Sequence, residues 1–258
     1  MIRAKGFTLI ELVLVIAILG IISVGFVGFI NVGSNVYQNV SNRDSLISDA
    51  RFAVERLNRE LRNALPNSIR IIDDGNRQCL EFVPIKTSHV YSDIPANGDL
   101  ASADIEVIKA SSFYNFRNTD RAVVYPIDES DAYDLSLNKA QRINSVDTTN
   151  NTWQITLASA TSFASDSPNQ HLFIVGEPVS YCAETGRLER FSFYGFNNVQ
   201  TILTGGVLMA EHIDTSAGLP FIFDAKQQSD AIVQVNFTFS QNNESVFFSN
   251  GVHIQHVP

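Results

Sequence analysis

From Phe7 to Ile30 the chain reads FTLIELVLVIAILGIISVGFVGFI, with Thr8, Glu11 and Ser23 as the only polar side chains and Glu11 as the only charge. A helix rises about 1.5 Å per residue, so this run spans roughly 36 Å, enough to cross a hydrocarbon core of about 30 Å. Arg3 and Lys5 precede it, and the next basic residue is Arg43. The positive-inside rule then places Met1 in the cytoplasm and the residues after 30 across the inner membrane. A secretory signal has an apolar region of about 7–15 residues and a small-residue cleavage site. This run is longer, and its best such site, near Ser23–Gly25, is poor. Glu11 has no basic residue in its own apolar helix. A lone carboxylate at that depth costs roughly 3 kcal/mol on insertion scales, so it calls for a partner or a function.

The heptapeptide Gly6-Phe7-Thr8-Leu9-Ile10-Glu11-Leu12 resembles the type III signal of type IV prepilins and type II secretion pseudopilins. The short basic leader, the Gly before a Phe and the Glu five places into the remaining chain all match. The resemblance implies that a prepilin peptidase cuts between Gly6 and Phe7, that Phe7 becomes N-methylated, and that Glu11 is the assembly acid. Such a cut frees an α-ammonium on Phe7, four helical residues or roughly 6 Å from Glu11. In a staggered filament the Glu of one subunit meets the amine of its neighbour, and low dielectric strengthens that pairing. The competing reading is an uncleaved signal anchor with an incidental Glu. The chain departs from many pilins in placing Gly28 where a Pro is common, with Gly20, Gly25 and Gly33 nearby.

Beyond the apolar run, Val36, Val40, Ile47, Ala50, Val54, Leu57, Leu61 and Ala64 recur at helical spacing, and Pro66 ends the pattern. Glu55–Arg59 has the spacing of a helical ion pair. One helix over Phe7–Leu65 is expected, half in the membrane and half docked on a folded domain. The period then changes to two. Strands are expected at Gln78–Ile85, Arg121–Tyr125, Thr152–Leu157, Leu172–Cys182, Arg187–Tyr194, Ala231–Ser240 and Glu244–Ile254. Glu184-Thr185-Gly186 and Gln241-Asn242-Asn243 read as hairpin turns, and Ser88–Ser102, Asp128–Gln141 and Ala158–Gln170 as loops. The fold class is α+β, a long N-terminal helix packed on an antiparallel β-sheet domain, as in pilins. Its expected parts are a leader at 1–6, a transmembrane and polymerisation helix at 7–30, an amphipathic continuation at 31–66 and a β-rich domain at 67–258.

The segment Arg51–Arg62 followed by Pro66 resembles the larger minor pilins and pseudopilins of the J/W type. So do Cys79-Leu80-Glu81-Phe82, Val179-Ser180-Tyr181-Cys182 and the run 252–258. Cys79 and Cys182 are the only cysteines. Outside the cytoplasm they are expected to pair, closing a loop of about a hundred residues worth up to roughly 4–5 kcal/mol. Two buried free thiols are the alternative.

Charge narrows the function. The chain carries 18 basic against 27 acidic residues, and residues 79–258 hold nine against twenty. So acidic a domain is a poor match for a phosphate backbone, and no nucleic-acid partner is expected. No nucleophile elbow, P-loop, dinucleotide fingerprint or zinc-protease motif is present, so no enzyme is expected. His89, His171 and His212 are scattered. His253 and His256, three apart on a strand, face opposite sides and make a poor metal clamp. Asp128, Glu129, Asp131 and Asp134 are dense enough for calcium but lack an EF-hand's Gly and terminal Glu, so they read as a solvated loop and no cofactor is expected. Phe191, Phe193, Tyr194 and Phe196 fit a sheet core better than a carbohydrate-binding face. The resemblance implies a minor pilin, with a secretion pseudopilin or a pilus-tip adhesin as alternatives. Its partners would be prepilin peptidase, other minor pilins, the major pilin and the inner-membrane assembly platform. It would wait in the inner membrane with its C-terminal domain in the periplasm, then enter a pilus.

Overall fold

The computed structural model describes residues 6–109, 114–224, 230–242 and 244–255. One helix, α1 (Leu9–Leu61), runs for 53 residues, about 80 Å at the usual rise. Its first half stands clear of the domain among the described residues. Every residue from Gly6 to Ser41 is exposed, including Ile21 at 76% and Phe29 at 76%. Burial begins at Leu46 and continues through Ala50, Ala53, Val54, Leu57 and Leu61, a stripe at helical spacing.

This corrects the expected stripe at its start, because Val36 and Val40 stand exposed at 57% and 62%. Their spacing continues the stripe, but the domain does not reach them. The ion pair on this helix also differs from the expected Glu55–Arg59. Arg56 meets Glu60 at 3.1 Å, and Glu60 also takes Arg190 at 2.9 Å. A carboxylate at position 60 thus serves the helix and the sheet beneath it together. After the helix, Leu65 donates its N–H to Val83 at 2.7 Å and Ile85 donates to Asn63 at 2.8 Å, which ties the helix end to the first strands.

Among the described residues fourteen strands follow. They are β1 (Arg70–Asp73), β2 (Arg77–Phe82), β3 (Ile85–Asp93), β4 (Ser102–Ile108), β5 (Arg121–Val124), β6 (Ala140–Asp147) and β7 (Thr152–Thr161). The remainder are β8 (His171–Val175), β9 (Val179–Glu184), β10 (Arg187–Ser192), β11 (Val207–Glu211), β12 (Phe221–Asp224), β13 (Asp230–Gln241) and β14 (Glu244–Gln255). They build a five-stranded sheet in the order β1-β2-β9-β10-β11, a three-stranded sheet β12-β13-β14 and a closed barrel β3-β4-β7-β6-β5-β8. All pairings between strands are antiparallel. A bridge from Ile213 to Phe239 joins the two open sheets.

The helix lies across both open sheets. Leu57 and Leu61 share one core with Leu80, Phe82, Tyr181, Leu188, Phe221, Val235, Phe237 and Phe239. Phe221, Phe237 and Phe239 meet edge to face, with centroids at 5.5 and 6.2 Å, the preferred aromatic geometry. The barrel holds a second core around Trp153, Phe163 and Tyr91. A third group, with Leu65, Val83, Tyr133 and Phe173, joins the barrel to the helix end, and Tyr133 Oη donates to the Ser68 carbonyl at 2.8 Å.

Two expected strands are each two segments. The Gln78–Ile85 run breaks at Val83–Pro84, since Pro84 has no N–H for a ladder, and the Leu172–Cys182 run breaks at Gly176–Pro178. Arg187–Tyr194 is cut short at Ser192, because Phe193 adopts φ 63°. Part of each expected loop is strand: β3 and β4 take 88–93 and Ser102, β6 takes Ala140 and Gln141, and β7 takes 158–161. Asn243 of the expected second turn lies outside the described residues, but β13 and β14 do form the hairpin around it.

The docked stripe carries the helix, so its truncation is expected to be costly where burial is complete. Leu57→Ala should lose about 2–5 kcal/mol of stability, and Val36→Ala less than about 0.5 kcal/mol. Urea unfolding of the full chain in detergent measures both.

Candidate functional site

At the N-terminus the backbone is extended at Thr8 (φ −87°, ψ 151°) and helical from Leu9. Thr8 is the N-cap: its Oγ1 accepts the Glu11 N–H at 3.4 Å. Glu11 reaches back in turn, and its Oε2 accepts the Thr8 N–H at 3.0 Å and the Thr8 hydroxyl at 2.9 Å. This reciprocal capping box satisfies helix-end donors that otherwise have no partner. In the single subunit the acid is therefore already turned toward the start of the helix, where a cut after Gly6 would leave a positive charge. Thr8 went unnoticed as a positioning residue in the sequence, although Thr-x-x-Glu before an apolar run is the motif's own signature.

Gly6 has no folding role in the structure. A Cβ built there meets nothing within 4 Å, so a requirement for glycine at this place belongs to whatever recognises the segment. The same holds at Gly28, where the helix runs on without a break.

Cys79 and Cys182 stand directly opposite on β2 and β9 and are bonded, with Cα atoms 4.0 Å apart. They lie on the face of the five-stranded sheet away from α1. Residues 193–206 cross this face as a strap. Arg70 donates to the carbonyls of Asn198 at 3.0 Å and Asn197 at 2.7 Å, and through Nε to Glu81 at 2.7 Å. Glu81 also accepts the Tyr194 hydroxyl at 2.8 Å. Burial first, and then the Glu81 charge, push that phenol well above its usual range. Arg77 pairs with buried Glu189 and donates to the Leu203 carbonyl at 2.6 Å. Gln200 caps the Cys79 carbonyl at 3.0 Å. At the strap's end a Cβ on Gly206 would fall 2.7 Å from the Phe191 ring, so only glycine fits.

The aromatic tract divides. Phe191 is buried beside the disulfide, and Tyr194, at the start of the strap, is half-buried. Phe196 packs on the Arg121 guanidinium at 3.5 Å. Phe193 contradicts the expected sheet core: it stands 68% exposed, because the chain leaves the strand one residue earlier.

The acidic cluster is a set of caps rather than a convergent cage. Asp128 accepts from Ser130, buried Asp131 accepts the Ile127 and Asp128 N–H groups at 2.8 and 3.0 Å, and Asp134 accepts from Ser136. The Ser136 hydroxyl and N–H hold the Asp134 carboxyl below its ordinary range. Among the described residues, no group of three or more His, Cys, Asp or Glu is arranged to hold a metal. His89 is buried in the barrel between Thr87 and the Ile108 carbonyl, and desolvation lowers its pKa. His171 and His212 are half-buried and His253 is exposed; His256 lies outside the described residues.

Residues 1–27 match the family model of the prokaryotic N-terminal methylation motif. The chain carries a prepilin-type N-terminus. That is a motif of structural, type IV pilin-like precursors rather than of a known enzyme family. It implies processing by prepilin peptidase and anchoring in the membrane through the apolar half of α1. No curated protein and no solved structure matches the chain.

The strap depends on the Arg70–Glu81 pair, whose side chains are 8% and 2% exposed. Arg70→Met should destabilise the domain by about 3–5 kcal/mol by leaving a buried carboxylate uncompensated. Arg70→Met combined with Glu81→Leu should recover a large part of that loss. Urea midpoints of the two variants test this.

Proposed function

We propose that the chain is a minor pilin, a non-enzymatic subunit that helps to prime or cap assembly of a type IV pilus. The observation that carries the reading is the division of α1. An apolar half, exposed on every side and headed by a methylation motif, continues into a half docked on a large β domain. The apolar half serves first as an anchor, with the domain in the periplasm, and then as the polymerisation surface. Cleavage between Gly6 and Phe7 supplies the amine, and Glu11 takes the Phe7 amine of the neighbouring subunit. A carboxylate in hydrocarbon is costly alone and strongly favoured when paired, so this contact selects the staggered register.

Domain size favours the tip over a repeating position in the shaft. The open sheets and the barrel all hang from one slender helix, and so much bulk is hard to repeat at close spacing. Other minor pilins and the major pilin are then its neighbours, and the assembly platform its site of entry. The scattered matches at Arg51–Arg62, at both cysteines and at 252–258 are most like a minor pilin of mannose-sensitive haemagglutinin pili. A pseudopilin of a type II secretion system would share every feature named here.

The test is recovery of the protein in sheared filaments. Glu11→Ala should leave processing at Gly6 intact and cut the amount in the filament fraction by about tenfold or more, since roughly 1.4 kcal/mol of lost pairing corresponds to a factor of ten. Glu11→Asp should be intermediate. Glu11→Ala at the normal level in filaments would remove the assembly role.

A further inference from the structure

Residues 79–258 hold only nine basic side chains, and five of them gather in one place: Lys86, Arg117, Arg121, Arg142 and Arg190 line two adjoining cavities where the barrel meets the five-stranded sheet. In the first cavity, of about 160 Å³, the charges are mostly answered. Lys86 pairs with fully buried Asp120 at 2.6 Å, and Arg190 with Glu60 at 2.9 Å.

The second cavity, of about 150 Å³, is different. Arg121 on β5 and Arg142 on β6 are direct cross-strand partners, so their side chains leave the same face. Like charges directly opposite on a sheet destabilise it. Arg121 is only 4% exposed. Its Nη1 donates to two neutral acceptors, the Ala132 and Tyr133 carbonyls, both at 2.9 Å, and its flat face lies on Phe196. Among the described residues, no carboxylate forms an ion pair with either arginine. Burial first, then the Arg142 charge, bring Arg121 down to about 10, and Asp134 only partly offsets them. Thr119 and Asn118 add polar groups to the wall, and half-buried Glu177 adds a single negative charge.

A buried charge without a counter-ion is costly, and a buried charge facing a like charge more so. The cost has a ready remedy here, since both arginines line one cavity and a guanidinium fork matches the two oxygens of a carboxylate. We propose that the cavity between Arg121, Arg142 and Phe196 is a binding site for a carboxylate, brought either by a small free acid or by an acidic side chain of a neighbouring polypeptide. With Glu177 in the wall the lining carries one net positive charge, which suits a single carboxylate.

The full chain in detergent, labelled with ¹⁵N at the arginine side chains, provides the test. Acetate is titrated against chloride at constant ionic strength while the Nε resonances are followed. Those of Arg121 and Arg142 should shift together and saturate with acetate, and not with chloride. Arg142→Gln, at an exposed position, should raise the half-saturation concentration about tenfold, the loss of one charge-assisted pair. Glu177→Gln should lower it. A tetraglutamate peptide that saturates the site well below acetate, counted per carboxylate, assigns the group to a polypeptide, and parity assigns it to a free acid. Shifts that are linear and equal in chloride, indifference to Arg142→Gln, or saturation by inorganic phosphate with acetate silent would each overturn the proposal.

Discussion

Everything in this molecule hangs on the contact between the Leu46–Leu61 stripe of α1 and the inner faces of the two open sheets. That contact consumes one side of the helix only over its second half. The first half is apolar all round and stays exposed among the described residues, which no stable water-soluble arrangement would allow. The helix therefore belongs to two solvents at once. Docking fixes which part must be covered by the domain and which part must be covered by lipid or by other subunits.

The domain holds that helix by more than its apolar stripe. Glu60 on the helix is gripped by Arg56 beside it and Arg190 below. The helix end is stitched to the β2–β3 link through Leu65 and Asn63. On the sheet's far side the Cys79–Cys182 bond joins adjacent strands, and two buried arginines draw the 193–206 strap across it. These two arginines, Arg70 and Arg77, are each answered by a buried glutamate, as buried charge requires. The same rule makes the Arg121–Arg142 pair conspicuous, because there no carboxylate forms an ion pair with either guanidinium among the described residues.

Much of this was legible in the residues, for physical reasons that differ by region. The apolar helix showed in composition alone, and the docked stripe in its spacing, because one-sided burial imposes a period. Its start did not show: Val36 and Val40 continue the pattern, and only the domain's reach decides that they stay exposed. Strand β13 was plain because Val233, Val235, Phe237 and Phe239 alternate with polar residues. The barrel was not. Strand β3 points Thr87, His89 and Tyr91 inward, so its inward and outward residues do not separate by polarity. Outside the barrel, β1 and β12 are only four residues long, too short for a period to show. Phe193 read as core because its neighbours alternate, but its left-handed backbone ends the strand. Gly6, Phe7 and Glu11 stood out by motif. Thr8, which holds Glu11 in place, carries its own signal in the Thr-x-x-Glu spacing of a capping box, but the processing motif itself does not single it out.

The proposed pairing of Glu11 requires Phe7 to become the first residue. The mass of the N-terminal peptide of the native protein, from cells with and without prepilin peptidase, tests that directly. N-methylated Phe7 present only with the peptidase is the predicted result. An intact Met1 in both, or a cut near residue 24, would contradict it, because Glu11 would then have no new amine to meet.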